Sequence, residues 1–349
     1  MPKLFFLLSG ENQTLPAAEV LAILESEGYP YSNSEELDQV LRLDAPLECV
    51  SSVQIRSAYT RVCARELLVA DATYAAISEA AAKIDFSAVI QPGESFVVRI
   101  NRIKNYADAA INTMTLEVKL GGQILRQTPS TTVNLKNPDK TLIGIITDNK
   151  LVLGLKLTDI TSKTFSERRP RKKPFFHPSA MPSKMARCMV NLAHAKAESI
   201  LLDPFCGTGT TLIEATFIGC RAVGVDAQRR MILGTKKNLE HFHIDAEGLL
   251  LADSRKIPLS KADAVVTDPP YGRSSSTLKS TTIQLVRDVL TASHALLGVG
   301  QRICIAAPQT LNISHLGAEL GFRHVESHFA YVHQTLTREI AVFEKVHKP

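Results

Sequence analysis

Apolar and polar positions follow two different rhythms along this chain. From residue 199 onward, short apolar runs alternate with stretches in which apolar positions recur three or four apart. Residues 199–203, 221–226, 249–253 and 264–268 read as strands, and 302–307 as a fifth. Helical spacing covers 210–219, 228–243 and about 280–297, and one more helix ends near Leu320 and Gly321. The last two runs, 329–333 and 338–343, are too close together for a crossover helix and are expected to form a hairpin. Continuous apolar strands separated by helices predict an α/β fold: a mostly parallel sheet covered on both faces, ending here in an antiparallel hairpin. In such sheets ligands bind beyond the carboxyl ends of the strands. Four successive strands end there in Asp203, Asp226, Asp253 and Asp268, which singles out that edge.

The first half has a mixed α+β pattern. A buried strand is expected over 4–10, a helix over 16–27, a turn at Gly28-Tyr29-Pro30 and a strand near 39–43. Further on, helices are expected over 74–84 and 106–120, with strands over 95–100, 132–135, 144–146 and, after a turn at Asp148-Asn149, over 151–157. Residues 158–174 turn polar, then basic, and contain two prolines. They are the clearest break in composition. The predicted organisation is therefore domains over 1–57 and 58–157, a basic linker over 158–174 and the α/β domain over 175–349.

Composition adds a few limits. The chain has 349 residues, 45% of them hydrophobic, which suits a soluble globular protein with several cores. No run approaches the roughly 20 apolar residues that a membrane span requires. The first apolar run is short and no small-residue cleavage site comes after it, so it is read as a strand and not as a signal peptide. Six scattered cysteines without a C-x-x-C pair point to reduced thiols, a cytoplasmic setting and no metal site. Nothing in the sequence calls for more than a monomer. The net charge of +5 permits a polyanionic partner and is concentrated in residues 168–174. There Arg171, Lys172 and Lys173 are candidate phosphate contacts, with a plain solvated linker as the competing reading.

Two strings carry the chemistry. Asp203-Pro204-Phe205-Cys206-Gly207-Thr208-Gly209-Thr210 has the shape of a glycine loop closing on a nucleoside cofactor. Its glycines let backbone N–H groups approach a ligand closely. Asp226, with Ala227 after it, is placed to accept hydrogen bonds from ribose hydroxyls, and Asp253 with Ser254 to meet an adenine amino group. A nicotinamide cofactor is disfavoured, because no G-x-G-x-x-G is present and Asp268-Pro269-Pro270-Tyr271 would go unexplained. The exocyclic amine of a base is a poor nucleophile, since its lone pair is delocalised into the ring. The Asp268 carboxylate and the Pro269 carbonyl can accept its two N–H groups and aim the lone pair at an electrophilic methyl. With an ordinary pKa of about 3.9, Asp268 is too acidic to remove the proton beforehand, so deprotonation accompanies or succeeds transfer. The two prolines stiffen the backbone, and Tyr271 offers a flat face to an extruded base. Together the strings suit an S-adenosylmethionine-dependent amino-methyltransferase.

At this point the chain resembles the THUMP-containing tRNA guanine-N2-methyltransferases, most closely the archaeal type acting on guanosine at position ten. The resemblance rests on residues 203–210, on the DPPYGRSSS run at 268–276, and on Phe175-Phe176-His177-Pro178-Ser179-Ala180-Met181-Pro182. It implies a Rossmann-like methyltransferase domain preceded by ferredoxin-like and THUMP domains, with tRNA as partner and S-adenosylmethionine as cofactor. By the same likeness His177 and Pro178 are cofactor neighbours and Asp268 is the catalytic aspartate. Arg99, Arg102, Lys104, Lys136, Lys140 and Arg273 are candidate RNA contacts. Alternatives are methylation at position six of tRNA, the amines of DNA or a protein amide, and an RNA-binding protein whose catalytic domain has lapsed. The intact carboxylates speak against the last.

Overall fold

The computed structural model of the chain describes residues 1–104, 111–270, 281–333 and 336–347. It divides into two compact units. Unit 1 holds Met1–Gln13, Tyr29–Gln54 and Thr60–Thr161, and unit 2 holds Thr14–Gly28, Ile55–Tyr59 and Ser162–Pro349.

Unit 1 is built on one sheet of β1 (Lys3–Leu8), β2 (Ser32–Leu37), β3 (Val40–Asp44), β4 (Thr60–Asp71), β5 (Ser95–Arg102), β6 (Thr132–Val133), β7 (Lys140–Thr147) and β8 (Lys150–Asp159). The spatial order is β2-β3-β1-β4-β8-β7-β5-β6. Neighbours are antiparallel except β5, which runs parallel to β6 and β7. Of the helices in the first half, α1 (Leu15–Glu27) and the end of α2 (Cys49–Arg56) belong to unit 2, while α3 (Tyr74–Ala82) and α4 (Thr113–Gln127) belong to unit 1. Alternation along the strands sends Phe5, Leu7, Val62, Ala64, Ile143 and Ile145 to one core. Phe96, Val98, Ile100, Leu142 and Ile146 go to another, where they meet Ile77 and Ala81 of α3 and Leu116, Leu120 and Ile124 of α4.

Two expectations change here, and β4 was not among the expected strands. The boundary at residue 57 does not separate two sheets, because β1 pairs with β4 along Leu4–Leu8. The helix expected over 106–120 begins at Thr113, where Asn112 caps it by accepting the Thr115 N–H at 2.9 Å, and it carries Gly121 and Gly122 through to Gln127. Strand β4 has no apolar signature of its own, since Arg61, Arg65 and Glu66 interrupt it. Glu66 is tolerated because Arg42 on β3 grips its carboxylate with bonds of 2.7 and 2.8 Å.

Unit 2 carries the sheet foreseen from the apolar runs. Its strands are β9 (Ile200–Asp203), β10 (Arg221–Asp226), β11 (Gly248–Leu251), β12 (Ala262–Thr267), β13 (Leu297–Pro308), β14 (Phe322–His333) and β15 (Leu336–Lys345). The order is β11-β10-β9-β12-β13-β15-β14. The first five are parallel, and β15 and β14 close the sheet antiparallel. Helices α5 (Lys163–Glu167), α6 (Ser183–Leu192), α7 (Thr210–Thr216), α8 (Arg229–His241), α9 (Thr282–Leu296) and α10 (Ile313–Glu319) complete it. The strands bury both faces. Leu201, Ala264, Val266, Cys304 and Val342 meet α6 and α7, whereas Leu202, Val265, Ile303, Ile305 and Phe343 meet α9 and α10. Helix α1 belongs to the first of these layers through Leu15 and Ala22. Its Glu19, fully buried, accepts from Ser57 Oγ at 2.8 Å, Tyr59 N at 2.9 Å and Asn191 Nδ2 at 2.9 Å. Burial pushes the Glu19 carboxyl up. Chain order reverses between β9 and β12, so a crevice opens beyond their carboxyl ends. Among the described residues no helix is long and apolar enough to cross a membrane.

Candidate active site

The loops that leave the carboxyl ends of the parallel strands line the crevice. After β9 the chain must turn at once into α7, and two glycines with positive φ make the turn, Gly207 at 52° and Gly209 at 76°. Their reasons differ. A Cβ on Gly209 would stand 2.6 Å from Thr235 Cγ2, so that glycine is required by packing against α8. A Cβ on Gly207 would meet nothing nearer than 3.8 Å, and Gly207 lines the cavity. There the backbone conformation and the ligand side select glycine.

One cavity gathers His177, Asp203, Phe205, Cys206, Gly207, Thr208, Thr210, Met231 and Asp268. It encloses about 70 Å³, well below the roughly 300 Å³ of sites that engulf a small molecule. It therefore holds one part of a ligand, and the remainder must extend along the strand ends. The two carboxylates at the switch point face a common space, although β9 and β12 are far apart in sequence. Asp203 accepts from Thr267 Oγ1 at 2.9 Å and Phe205 N at 3.1 Å. Burial, partly offset by these bonds, pushes its carboxyl up to about 7. Asp268 lies 3.1 Å from Arg338 Nη2. Tyr271 and Arg273 fall outside the described residues.

The other expected cofactor residues divide. Asp226 braces the loop, accepting from Gly207 N at 3.2 Å and Gln228 N at 2.8 Å, and burial raises its pKa. Each carboxylate oxygen keeps a second lone pair for a hydroxyl. Asp253 accepts from Arg255 through its side chain at 2.5 Å and its backbone N–H at 2.9 Å. The Arg255 hydrogen bond lowers its pKa, so an adenine amine would share this carboxylate with a guanidinium. Ser254 is buried, Pro204 is buried outside the cavity lining, and Pro178 and Ala227 are exposed. His177 reaches the cavity and bonds Ser179 Oγ at 2.7 Å.

Several residues escaped the sequence reading. Asn238 on α8 clamps the entry segment, with bonds of 2.9 Å to both the N–H and the carbonyl of Phe175 and to the carbonyl of Thr208. Glu214 on α7, fully buried, holds Arg168 at 2.7 Å and Arg187 at 3.0 Å. The signal was a polar side chain on the apolar face of each helix. Lys173 corrects an expectation. It is 5% exposed and donates to Thr210 Oγ1 at 2.7 Å. Burial pushes its ammonium down to about 8, and it is not available to an RNA surface, whereas Arg171 and Lys172 are exposed. Arg168 of the same basic run is likewise turned inward by Glu214.

In unit 1, Arg99 donates to the Leu135 carbonyl at 2.9 Å and Arg102 to that of Ile111. Lys104 pairs with Asp38 at 2.8 Å and Lys140 with Glu94 at 3.5 Å, while Lys136 is exposed.

The sheet order, the glycine loop after its first strand and the acidic crevice define an α/β methyltransferase. A family model described as RMKL-like methyltransferase domain matches residues 170–338. A DNA methylase model matches residues 89–237, a span that includes the glycine loop and stops short of Asp268. Over 345 residues the chain is 37% identical to the tRNA (guanine(10)-N2)-dimethyltransferase of Methanothermobacter thermautotrophicus, covering 99% of this chain and 100% of that one. The enzyme of the same name from Methanocaldococcus jannaschii is 29% identical, with 98% and 99% covered. The chain belongs to the tRNA (guanine(10)-N2)-dimethyltransferase family. Among solved structures, TrmN from Thermus thermophilus shares the fold at a TM-score of 0.54 and 20% identity, covering 99% of this chain and 100% of that one. A putative methyltransferase, SMU.472, complexed with SAH, does so at 0.51 and 13%, with all of both chains covered.

Proposed function

We propose that this protein methylates the exocyclic 2-amino group of a tRNA guanosine, that of position 10, once or twice, with S-adenosylmethionine as donor. The observation that carries the reading is the meeting of Asp203 and Asp268 in one cavity at the switch point of the sheet. The cavity suits the donor. Its lining presents two carboxylates, hydroxyls and sulfurs, with His177 as its one basic side chain, so it favours a cationic ligand. S-adenosylmethionine supplies the electrophilic methyl group when bound.

The protein's own groups do the rest. Asp203, Gly207, Thr208 and Thr210 line the cavity that would hold the donor, with Asp226 and Asp253 continuing the site along the strand ends. Asp268 and the Pro269 carbonyl accept the N–H groups of the guanine amine, which turns its lone pair toward the methyl and stabilises positive charge as it develops on nitrogen. The Asp268 carboxylate is the nearby acceptor for the proton that leaves. Tyr271 stacks on the base once it is extruded, a step that costs on the order of a few kcal/mol. Unit 1 serves as the THUMP-bearing RNA-binding part, with Lys136, Arg99, Arg102, Lys104 and Lys140 on or near its surface. Arg171 and Lys172 add exposed positive charge on unit 2.

The test is mass-spectrometric mapping of modified nucleosides in unmodified tRNA transcripts after incubation with protein and S-adenosylmethionine. N2-methylated guanosine at position 10 is expected. Asp268→Ala should lower the rate by about 10³-fold while the protein still binds the donor measurably by calorimetry, held by Asp203 and the glycine loop. Methylation of no tRNA guanosine, despite measurable donor binding, would overturn the assignment.

A further inference from the structure

The DPPY run explains how an amine is held but not which amine, since amines on guanine, adenine and cytosine present the same two N–H groups. The missing discrimination has to come from a group beside Asp268 that meets the next position on the base edge. Strand β15 delivers one. It runs antiparallel to β13, so its first residues lie beside the carboxyl end of β13, at the edge where the parallel strands stop: Arg338 is in register with Pro308. From there its guanidinium reaches Asp268 at 3.1 Å, with the two side chains 12% and 16% exposed. An acceptor and a donor therefore stand side by side in a largely dry site.

Resting on the function proposed above, we infer that Arg338 reads the O6 atom of the target guanine while Asp268 takes its 2-amino group. Guanine presents, in sequence along its pairing edge, the amine donor, the N1–H donor and the O6 acceptor. A carboxylate and then a guanidinium are complementary to that order. Adenine held by its amine presents the N1 acceptor next and then a bare C–H, so it offers the guanidinium no exocyclic acceptor. Cytosine does carry a carbonyl, O2, at that place, so Arg338 separates guanine from adenine and not from cytosine. A guanidinium has five N–H donors in a fixed fork, and one carboxylate can accept two of them, which lets a single arginine serve both a protein carboxylate and a base oxygen. Arginine to guanine O6 is also the commonest specific protein–base contact in duplex DNA, for the same geometric reason. In this arrangement Arg338 is a specificity-determining residue, and its ion pair with Asp268 keeps the acceptor in place before the base arrives.

The experiment compares a tRNA transcript carrying guanosine at the target position with one carrying 2,6-diaminopurine riboside there. The analogue keeps the 2-amino nucleophile, replaces the O6 acceptor by a donor and turns the N1–H donor into an acceptor. Wild-type protein is expected to prefer guanosine by about 10²-fold in kcat/KM. Arg338→Met should lower the guanosine rate to near that of the analogue, bringing the ratio close to one, and Arg338→Lys should restore part of the preference. Calorimetry of donor binding shows that each variant is folded. Because the analogue also lacks the N1–H donor, it is the collapse of the ratio in Arg338→Met that assigns the reading of O6 to Arg338. A wild type that does not discriminate overturns the inference. So does an Arg338→Met protein that loses both rates equally and keeps the ratio, because Arg338 would then only position Asp268. Failure of wild type on every tRNA guanosine is a different result and sinks the functional reading itself.

Discussion

The two units handle buried polarity in opposite ways. In unit 1 the residues that are both polar and buried, among those described, are hydroxyl-bearing: Ser9, Thr60, Thr128, Thr131 and Thr147. Unit 2 buries ionisable groups in several places, including Glu19, Arg56, Arg168, Lys173, Arg187, Asp203, Glu214 and Asp226. A hydroxyl is satisfied by one or two bonds, as Thr147 is by donating to the Asp38 carbonyl at 2.8 Å. A buried charge needs a partner of opposite sign or a dense set of hydrogen bonds, and costs several kcal/mol if left without them. Unit 2 therefore relies on an ionic framework, with Glu214 between Arg168 and Arg187. That framework ties the entry segment to the helix behind the glycine loop. Unit 1 has one comparable pair, Arg42 with Glu66, whose side chains are 15% and 6% exposed, and carries most of its other charges nearer the surface. The difference sets the unit that carries the methyltransferase fold apart from the unit proposed above to bind RNA.

The sharpest way to break this comparison is to remove the hub of the ionic framework. Glu214→Ala leaves Arg168 and Arg187 facing each other in a buried site and should cost about 3–5 kcal/mol in denaturant unfolding. Thr147→Val in unit 1 should cost about 1 kcal/mol. Equal losses would mean that the ionic framework is no more important than one hydroxyl.

A smaller effect concerns pH. The Asp203 carboxyl is raised from 3.8 to about 7 by burial. Such a group contributes stability that is fully present below the unfolded value and is lost as pH rises through 7. A cationic ligand prefers the carboxylate, so S-adenosylmethionine should bind about tenfold more tightly at pH 8 than at pH 6, releasing roughly half a proton near pH 7. Calorimetry in buffers of different protonation enthalpy measures this. Affinity that stays flat over the range would mean that Asp203 does not face the ligand's charge.

The smallest effect belongs to the surface of unit 1. Lys136→Ala should weaken tRNA binding only a few-fold and reduce the slope of log affinity against log salt by about one. An unchanged slope would remove Lys136 from the RNA surface.

Much of unit 2 was legible in the sequence, for local reasons. Its apolar runs are short and continuous because they are buried on both faces, and the glycines and carboxylates at their ends mark where strands stop. The hairpin over β14 and β15 was legible from spacing alone. Unit 1 was less so. Strand β4 hides Glu66, whose partner Arg42 lies on β3, β2 is polar because it is an edge, and α4 starts seven residues beyond the expected position. The basic run at 168–174 shows the same limit. Its composition announces positive charge, but Glu214 and Thr210 turn Arg168 and Lys173 inward while Arg171 and Lys172 stay exposed.

By itself, then, the sequence determined the α/β class, the glycine loop and the row of strand-end carboxylates, because these depend on periodicity and on the conformational freedom of single residues. Only the tertiary structure decided which carboxylates meet, that α1 is packed into the catalytic unit, that Lys173 stands behind the cavity wall and that Arg338 reaches Asp268. Each of those is a pairing between residues distant in the chain. Strand order and burial summed over the whole unit select such pairings, and no local window of sequence contains that sum.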